Sequence, residues 1–393
     1  MKPKRILIFS TAYYPFIAGA EVAIKEITDR LSGDFEFDLI TAKMWKDLLD
    51  TEKIGTVNIY RIGIGIPLLD KLTIPIFGTL KAWKLQKRNN YFCYWAIMAT
   101  YATGPAYIVN IARRFLGRKK IPIILTIQEG TSELRHNLRW GGLIALSWKL
   151  ALRQTQVLTG ISNFLLNKAK KNGYKGKMVL IPNGVNLKVF SKQISNKTKE
   201  ELKNQFGKKT DDIFLVTTSR LEHKNATDDI ISALTYLPEN VKLLVIGSGA
   251  LKVQLQKQAD KLKVRERVKF LGFISHENIP EYFSICDIFI RPSRSEGFGN
   301  SFIEAMAAGL PVIATPVGGI VDFIDDKETG VFCSPDNPQS IARAVDILLD
   351  DSHLREHIIE KAKARVIERY SWDYIAQEMK SSIFDKLDYH ESR

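Results

Sequence analysis

Short apolar, β-branched runs recur along the chain, separated by longer segments of mixed polarity. The first series is Arg5 to Phe9, Phe37 to Ile40, Val57 to Ile62, Ile121 to Ile127 and Val157 to Ile161. A second comprises Ile213 to Thr217, Leu243 to Ile246, Val268 to Phe270, Ile288 to Ile290 and Val312 to Ala314. Runs of this kind predict buried strands, and helical or loop segments between them predict the βαβα order of a parallel sheet, here twice. Tyr91 to Ile111 is 21 residues without a charge, long enough to span a bilayer. Thr100, Thr103, Gly104, Pro105 and Asn110 interrupt it, so it reads as a short strand followed by a helix packed on a sheet.

Between the two series lies Pro182-Asn183-Gly184-Val185-Asn186, followed by a polar, lysine-rich stretch from Ser191 to Asp212. The hinge is placed there, giving domains at 1–185 and 186–371. At 393 residues and 45% hydrophobic content the chain has material for two cores. The apolar run Ile6 to Phe9 is too short for a signal peptide and reads as the first buried strand. Cys93, Cys286 and Cys333 form neither a CxxC pair nor an even-numbered framework, so a reducing, cytoplasmic setting is expected.

The net charge of +14 becomes informative when it is divided. Residues 1–185 hold 28 Lys/Arg against 12 Asp/Glu, whereas 186–393 hold 29 against 31. The excess is densest around Lys81, Lys84, Lys87 and Arg88, and again around Arg113, Arg114, Arg118, Lys119 and Lys120. Such a surface attracts anionic lipid, phosphorylated acceptors or nucleic acid. Peripheral contact with an anionic membrane face is the expectation. No nucleic-acid motif accompanies the charge, so no specific nucleic-acid partner is expected.

Four segments carry candidate chemistry. Glu296-Gly297-Phe298-Gly299-Asn300-Ser301-Phe302-Ile303-Glu304 follows the run at Ile288 to Ile290, and a helix from Ser301, capped by Asn300, is expected to end at Gly309 before Pro311. The start of such a helix suits a diphosphate. Glu304, one turn in, can reach a ribose diol, and Glu296 can reach sugar hydroxyls; equally, Glu304 can serve only the helix dipole and the glycines only a turn. Arg220 and Lys224, in Thr217-Thr218-Ser219-Arg220-Leu221-Glu222-His223-Lys224-Asn225, can both meet phosphate oxygens or simply be surface cations. Ala18-Gly19-Ala20-Glu21 is a flexible loop leading into a helix, and Val317-Gly318-Gly319 is a close-approach turn. Gly247-Ser248-Gly249 is only a fragment of a dinucleotide fingerprint and reads as a strand-to-helix turn.

Together these residues resemble glycosyltransferase family 4, over nearly the whole chain. EGFGNSFIEAMAAGLPVIATPVGG is the most specific part, and SRLEHKN, ISNFLLNKAKKNGY, IPNGVN and YSWDYIAQEM support it in order. The resemblance implies a GT-B α/β fold, with two Rossmann-like domains facing a central cleft and a last helix, within 372–393, crossing back to the N-terminal domain. It implies retaining transfer from a nucleoside-diphosphate sugar of UDP or GDP type to a saccharide or lipid-linked saccharide. Arg220 and Lys224 then hold the diphosphate, Glu304 the ribose, and Glu296 with the Gly297, Phe298, Gly299, Asn300 and Ser301 backbone the sugar; Gly19 and Asn183 join the donor-binding set.

Two departures stand out. Ala18-Gly19 replaces the paired glycines usual in the N-terminal loop, and Gln128-Glu129-Gly130 replaces a histidine beside the sugar. Gln128 can bond a sugar hydroxyl but cannot take up a proton, and Glu129 is a rival contact for the acceptor. Front-face departure, in which the donor's phosphate accepts the proton, is compatible with that change. No metal or other cofactor is expected: there is no DxD element, and Asp211-Asp212 and Asp325-Asp326 read as solvated acids. The alternatives are a GT-B-type sugar-nucleotide epimerase, a phosphorylase, or a donor-binding protein without turnover.

Overall fold

The computed structural model describes residues 3–98, 101–128 and 143–387, and of 143–147 the backbone alone. The chain divides into two compact units, Met1–Asn183 with Trp372–Arg393, and Gly184–Ser371. Val185 belongs to the second because its N–H donates to the Tyr370 carbonyl at 2.7 Å and it bridges to Ser371.

The first unit is built on strands β1 Lys4–Phe9, β2 Phe35–Ala42, β3 Thr51–Ile54, β4 Val57–Ile62, β5 Tyr91–Ile97, β6 Ile123–Ile127, β7 Val157–Gly160 and β8 Lys177–Leu180. Their order in the sheet is β3-β4-β2-β1-β5-β6-β7-β8, parallel throughout except the β3–β4 pair. Ile6 and Ile8 of β1 point into one core with Phe37 and Leu39 of β2 and Trp95 of β5; Leu7 and Phe9 point into a second, on the other face. Alternate side chains of a strand facing opposite ways, both covered, explain why β1 reads as an uninterrupted apolar run. The helix Trp372–Met379 completes the first core with Trp372, Ile375 and Met379, beside the helix Gly19–Arg30, and Arg30 Nε meets Asp373 at 2.6 Å.

The second unit comprises β9 Ile213–Thr218, β10 Val241–Ile246, β11 Val268–Gly272, β12 Ile288–Arg291, β13 Val312–Ala314 and β14 Val331–Phe332. All are parallel, in the order β11-β10-β9-β12-β13-β14. That order reverses direction between β9 and β12. A crevice therefore opens beyond the carboxyl ends of those two strands, where doubly wound sheets take their ligands.

The strands missing from the sequence reading have a common cause. β3 and β8 are edge strands whose residues are only partly buried, β8 carries just three apolar residues after Lys177, and β14 has two residues, so none stands out as a buried strand. Tyr91 to Ile111 resolves into β5, a turn around Tyr101–Thr103 and the start of the helix Gly104–Phe115. Among the described residues no helix is long and apolar enough to cross a membrane. One acid differs from the solvated reading: Asp212 is buried. Burial opposes its charge, but hydrogen bonds from Lys242 and the Lys209 N–H hold its carboxyl below the ordinary range.

Candidate active site

In the second unit the cationic loop hangs from the end of β9 and the acid loop from the end of β12. After β12 the chain turns through Pro292 and Ser293 into the Glu296–Gly299 loop. The helix beyond it starts at Asn300, one residue earlier than expected, with Gly299 as its N-cap at φ +101°. Asn300 is inside the first turn because Gly299 alone makes the bend: a Cβ there would lie 2.7 Å from the Phe302 ring in a conformation that L-residues avoid. Gly318, at φ +59°, lies against the same loop, where a Cβ would fall 1.8 Å from the Glu296 carbonyl oxygen; the next N–H, of Gly319, donates to that oxygen at 3.2 Å. The Val317–Gly319 turn is thus a backing plate for Glu296.

Phe298 is buried in the cluster with Phe323 and Tyr370, ring centroids 5.0 and 5.8 Å away. Only its backbone is available to a ligand. Glu296 accepts its own loop's Gly297 N–H at 3.1 Å through one carboxylate oxygen and pairs with Arg291 through the other. Glu304, 8% exposed, meets His276 Nε2 at 2.9 Å, and the His276 ring packs edge-on against Phe190.

Arg291 is the centre of this arrangement and was not singled out in the sequence. It is the last residue of β12, 9% exposed, and its guanidinium reaches three groups. One nitrogen donates to Ser301 Oγ at 2.9 Å; the other donates to Asn225 Oδ1 at 2.9 Å and to the Glu296 carboxylate. Asn225 in turn donates to the Arg220 carbonyl at 2.6 Å. A single planar fork therefore fixes the acid loop, the helix start and the cationic loop relative to each other, a geometry lysine cannot supply.

Arg220 and Lys224 themselves are exposed on the loop after β9, where the Arg220 side chain pairs only loosely with Glu222 at 3.2 Å. The loop beneath them is fixed. The Arg294 N–H donates to the Lys224 carbonyl at 2.8 Å, and its guanidinium holds the His223 carbonyl, Asp228, Asp229 and Asp336. Gly247 and Gly249 pack on the other side, where Cβ atoms would fall 1.9 Å from the Ser219 carbonyl oxygen and 2.5 Å from that of Leu221. The GxG fragment thus supports the cationic loop as a close-packed turn. Thr218 Oγ1 and Ser219 Oγ at the end of β9, and Ser293 Oγ just past β12, are buried and have no hydrogen-bond partner among the described residues. Buried hydroxyls left unpaired cost free energy.

In the first unit, Gly19 is the first residue of its helix, and Glu21 reaches back to accept the Ala18 N–H at 3.0 Å. Burial pushes the Glu21 carboxyl above its ordinary range. Gln128, one residue past β6, and Asn183 line one small cavity with Trp95, Thr126, Ile181 and Ile24. Trp95 Nε1 donates to Thr126 Oγ1 at 2.8 Å, fixing that wall. Glu129 lies outside the described residues. Among the described residues no three His, Cys, Asp or Glu side chains converge as a metal site.

Residues 17–189 match the family model described as Glycosyltransferase Family 4, and residues 198–365 the one described as Glycosyl transferases group 1. The chain is 35% identical to the uncharacterized glycosyltransferase MJ1607 of Methanocaldococcus jannaschii, over 95% of this chain and 96% of that one. Its fold is similar to that of sucrose-phosphate synthase from Thermosynechococcus elongatus (TM-score 0.83, 19% identity, 98% of this chain and 100% of that one). It is also similar to Anabaena Alr3699/HepE in complex with UDP and glucose (TM-score 0.76, 21% identity, 97% and 100%). Both likenesses are to GT-B structures.

Proposed function

We propose that this chain, which belongs to the group 1 glycosyltransferases of family 4 type, moves a sugar with retained configuration from a nucleoside-diphosphate donor to a saccharide or lipid-linked saccharide, without a metal. The observation that carries the donor side is the Arg291 fork, which ties Glu296, Ser301 and, through Asn225, the Arg220 loop together. Arg220, Lys224 and the positive end of the Asn300–Ala307 helix face the diphosphate, supplying the charge stabilisation that a divalent cation would otherwise give. Glu304 binds the ribose, and Glu296 with the 297–301 backbone binds the transferred sugar. A UDP-type donor is favoured by the fold neighbour that holds UDP.

Without a protein base at Gln128, the acceptor hydroxyl attacks the anomeric carbon on the face from which the diphosphate leaves. The anomeric C–O bond breaks toward the phosphate, and a phosphate oxygen takes the hydroxyl proton. Gln128 and Asn183 bond sugar hydroxyls, and Gly19 lets the N-terminal loop approach closely. The protein acts in the cytoplasm. The test is nucleotide release and anomeric outcome with UDP-, GDP- and ADP-sugars, with and without chelator. Arg220→Ala or Lys224→Ala should cost about 3 kcal/mol of transition-state stabilisation, on the order of a hundredfold in rate. Both side chains are exposed, so stability should hold. Wild-type turnover in both variants would overturn the diphosphate assignment, and inversion would overturn the mechanism.

A further inference from the structure

The helix Pro67–Gln86 of the first unit has a surface that the transfer reaction does not use. It buries Asp70, Ile74, Gly78, Ala82 and Leu85, spaced three and four residues apart. Its opposite side should then be polar. Instead Leu69, Ile76, Phe77 and Leu80 are 46%, 64%, 52% and 56% exposed. From Leu69 to Leu80 this apolar stripe runs about 17 Å at the helical rise. Buried Asp70 extends it beyond the helix. Its carboxylate accepts the N–H groups of Met44, Ile64 and Gly65 at 3.0, 2.9 and 2.8 Å, which ties the loops bearing exposed Trp45 and Ile64 to the helix's first turn.

The far end of the helix is cationic. The helix Gly104–Phe115 lies alongside in parallel, since Gly78 faces Pro105 and Arg113 donates to Gln86 Oε1 at 2.9 Å. Both carboxyl ends therefore meet, bringing Lys84, Lys87 and Arg88 to Arg114, Arg118 and Lys119, next to Phe115 at 86% exposure. Between Pro67 and Lys120 the chain carries ten Lys/Arg and one acid, and that acid is the buried Asp70. No surface carboxylate in this stretch offsets the charge. The crowding is felt by Lys81, whose ammonium is held below its ordinary value by burial and then by Lys84 and Arg88.

We infer that this face docks on an anionic lipid surface, with the Leu69–Leu80 stripe at the headgroup–acyl boundary and the basic end on lipid phosphates. A helix with one side seated in its own protein and an apolar outer side flanked by cations lies in the plane of an interface rather than across it. Charge selects this occupant over a second copy of the chain, which would bring two clusters of the same sign within a Debye length. The inference does not rest on the transfer reaction, and its test does not read turnover.

The experiment is co-sedimentation of the full chain with phosphatidylcholine vesicles, with and without about one-third phosphatidylglycerol, at about 0.1 M salt. Binding is expected to the anionic vesicles only, and release at about 1 M salt. Ile76→Ser with Phe77→Ser, and separately Lys84→Glu with Arg88→Glu, should each lower the partition coefficient about tenfold or more. All four side chains are exposed, so the thermal midpoint should not move. Absence of binding, equal binding to both vesicles, or variants that bind as wild type would overturn the inference. So would lipid-free self-association, seen by sedimentation velocity, that the Ile76→Ser, Phe77→Ser pair abolishes; the occupant would then be a second copy.

Discussion

Replacing Arg291 by methionine tests whether one buried fork organises the donor-side residues. The Arg291 and Glu296 side chains are 11% and 12% exposed, and the arginine also holds Ser301 and Asn225. Its cation sits over the Phe302 ring, 5.7 Å from the centroid, so methionine fills much of the space while removing the charge. Breaking a buried pair from one side leaves the other charge uncompensated and costs about 3–5 kcal/mol. For a unit of this size that is a fall in Tm on the order of 10 °C. Combining the change with Glu296→Gln removes the orphaned carboxylate, so the double variant should regain at least about half of the loss. Arg291→Lys keeps the charge but not the three-way geometry. With methionine, kcat/KM for donor turnover should drop about a hundredfold, or roughly 2.7 kcal/mol, and lysine should recover only part of that. Thermal melts of the four proteins with nucleotide release supply the data. An unshifted Tm with normal kcat/KM for Arg291→Met, or an equal loss in the Glu296→Gln background, would refute the reasoning.

Two further perturbations probe the frame around the site. Gly318→Ala places a methyl 1.8 Å from the Glu296 carbonyl oxygen at φ +59°, whereas Gly207→Ala, at φ +62°, has nothing within 4 Å. The first should therefore lose about 3 kcal/mol or more in urea unfolding and the second only the backbone strain of about 1 kcal/mol; equal midpoints would remove the backing-plate role. Asp229 has its carboxyl pushed from 3.8 up to about 6 by burial and then by Asp228, against the pull of Arg294. The folded state binds that proton more tightly than the unfolded chain, so its ionisation lowers stability between about pH 4 and 6. The wild-type Tm should fall relative to Asp229→Asn across that window. Parallel curves would contradict it.

The sheets were largely legible because parallel strands covered on both faces run apolar over most of their length. β1, β9 and β12 show it directly, and they set the switch points. What the sequence hid were the strands that physics does not require to be apolar, β3 and β8 at the sheet edge, and the two-residue β14. The start of the helix after Glu296 was misplaced by one residue for a similar reason. Asn is the better capping side chain in general, but only glycine fits a φ of +101° beside Phe302.

The same distinction separates the candidate-site residues that a linear reading reaches from those it does not. Glu296, Glu304, Arg220 and Lys224 lie in continuous motifs, so a linear reading reaches them. Asn225 closes the SRLEHKN motif but acts through a partner 66 residues away, and His276 acts through one 28 residues away with nothing local to mark it. Arg291 did leave a trace: it ends the otherwise apolar run Ile288-Phe289-Ile290 immediately before Pro292. A charge at the end of a fully buried strand must be neutralised by something, since an isolated buried ion costs far more than a domain can absorb. The nearest acid in the following loop is Glu296, five residues on. Asking of every buried charge which group offsets it thus joins β12 to the acid loop from the sequence alone, and it makes the Arg291–Glu296 pair, rather than the carboxylate alone, the unit to perturb when the proposed sugar contact is tested.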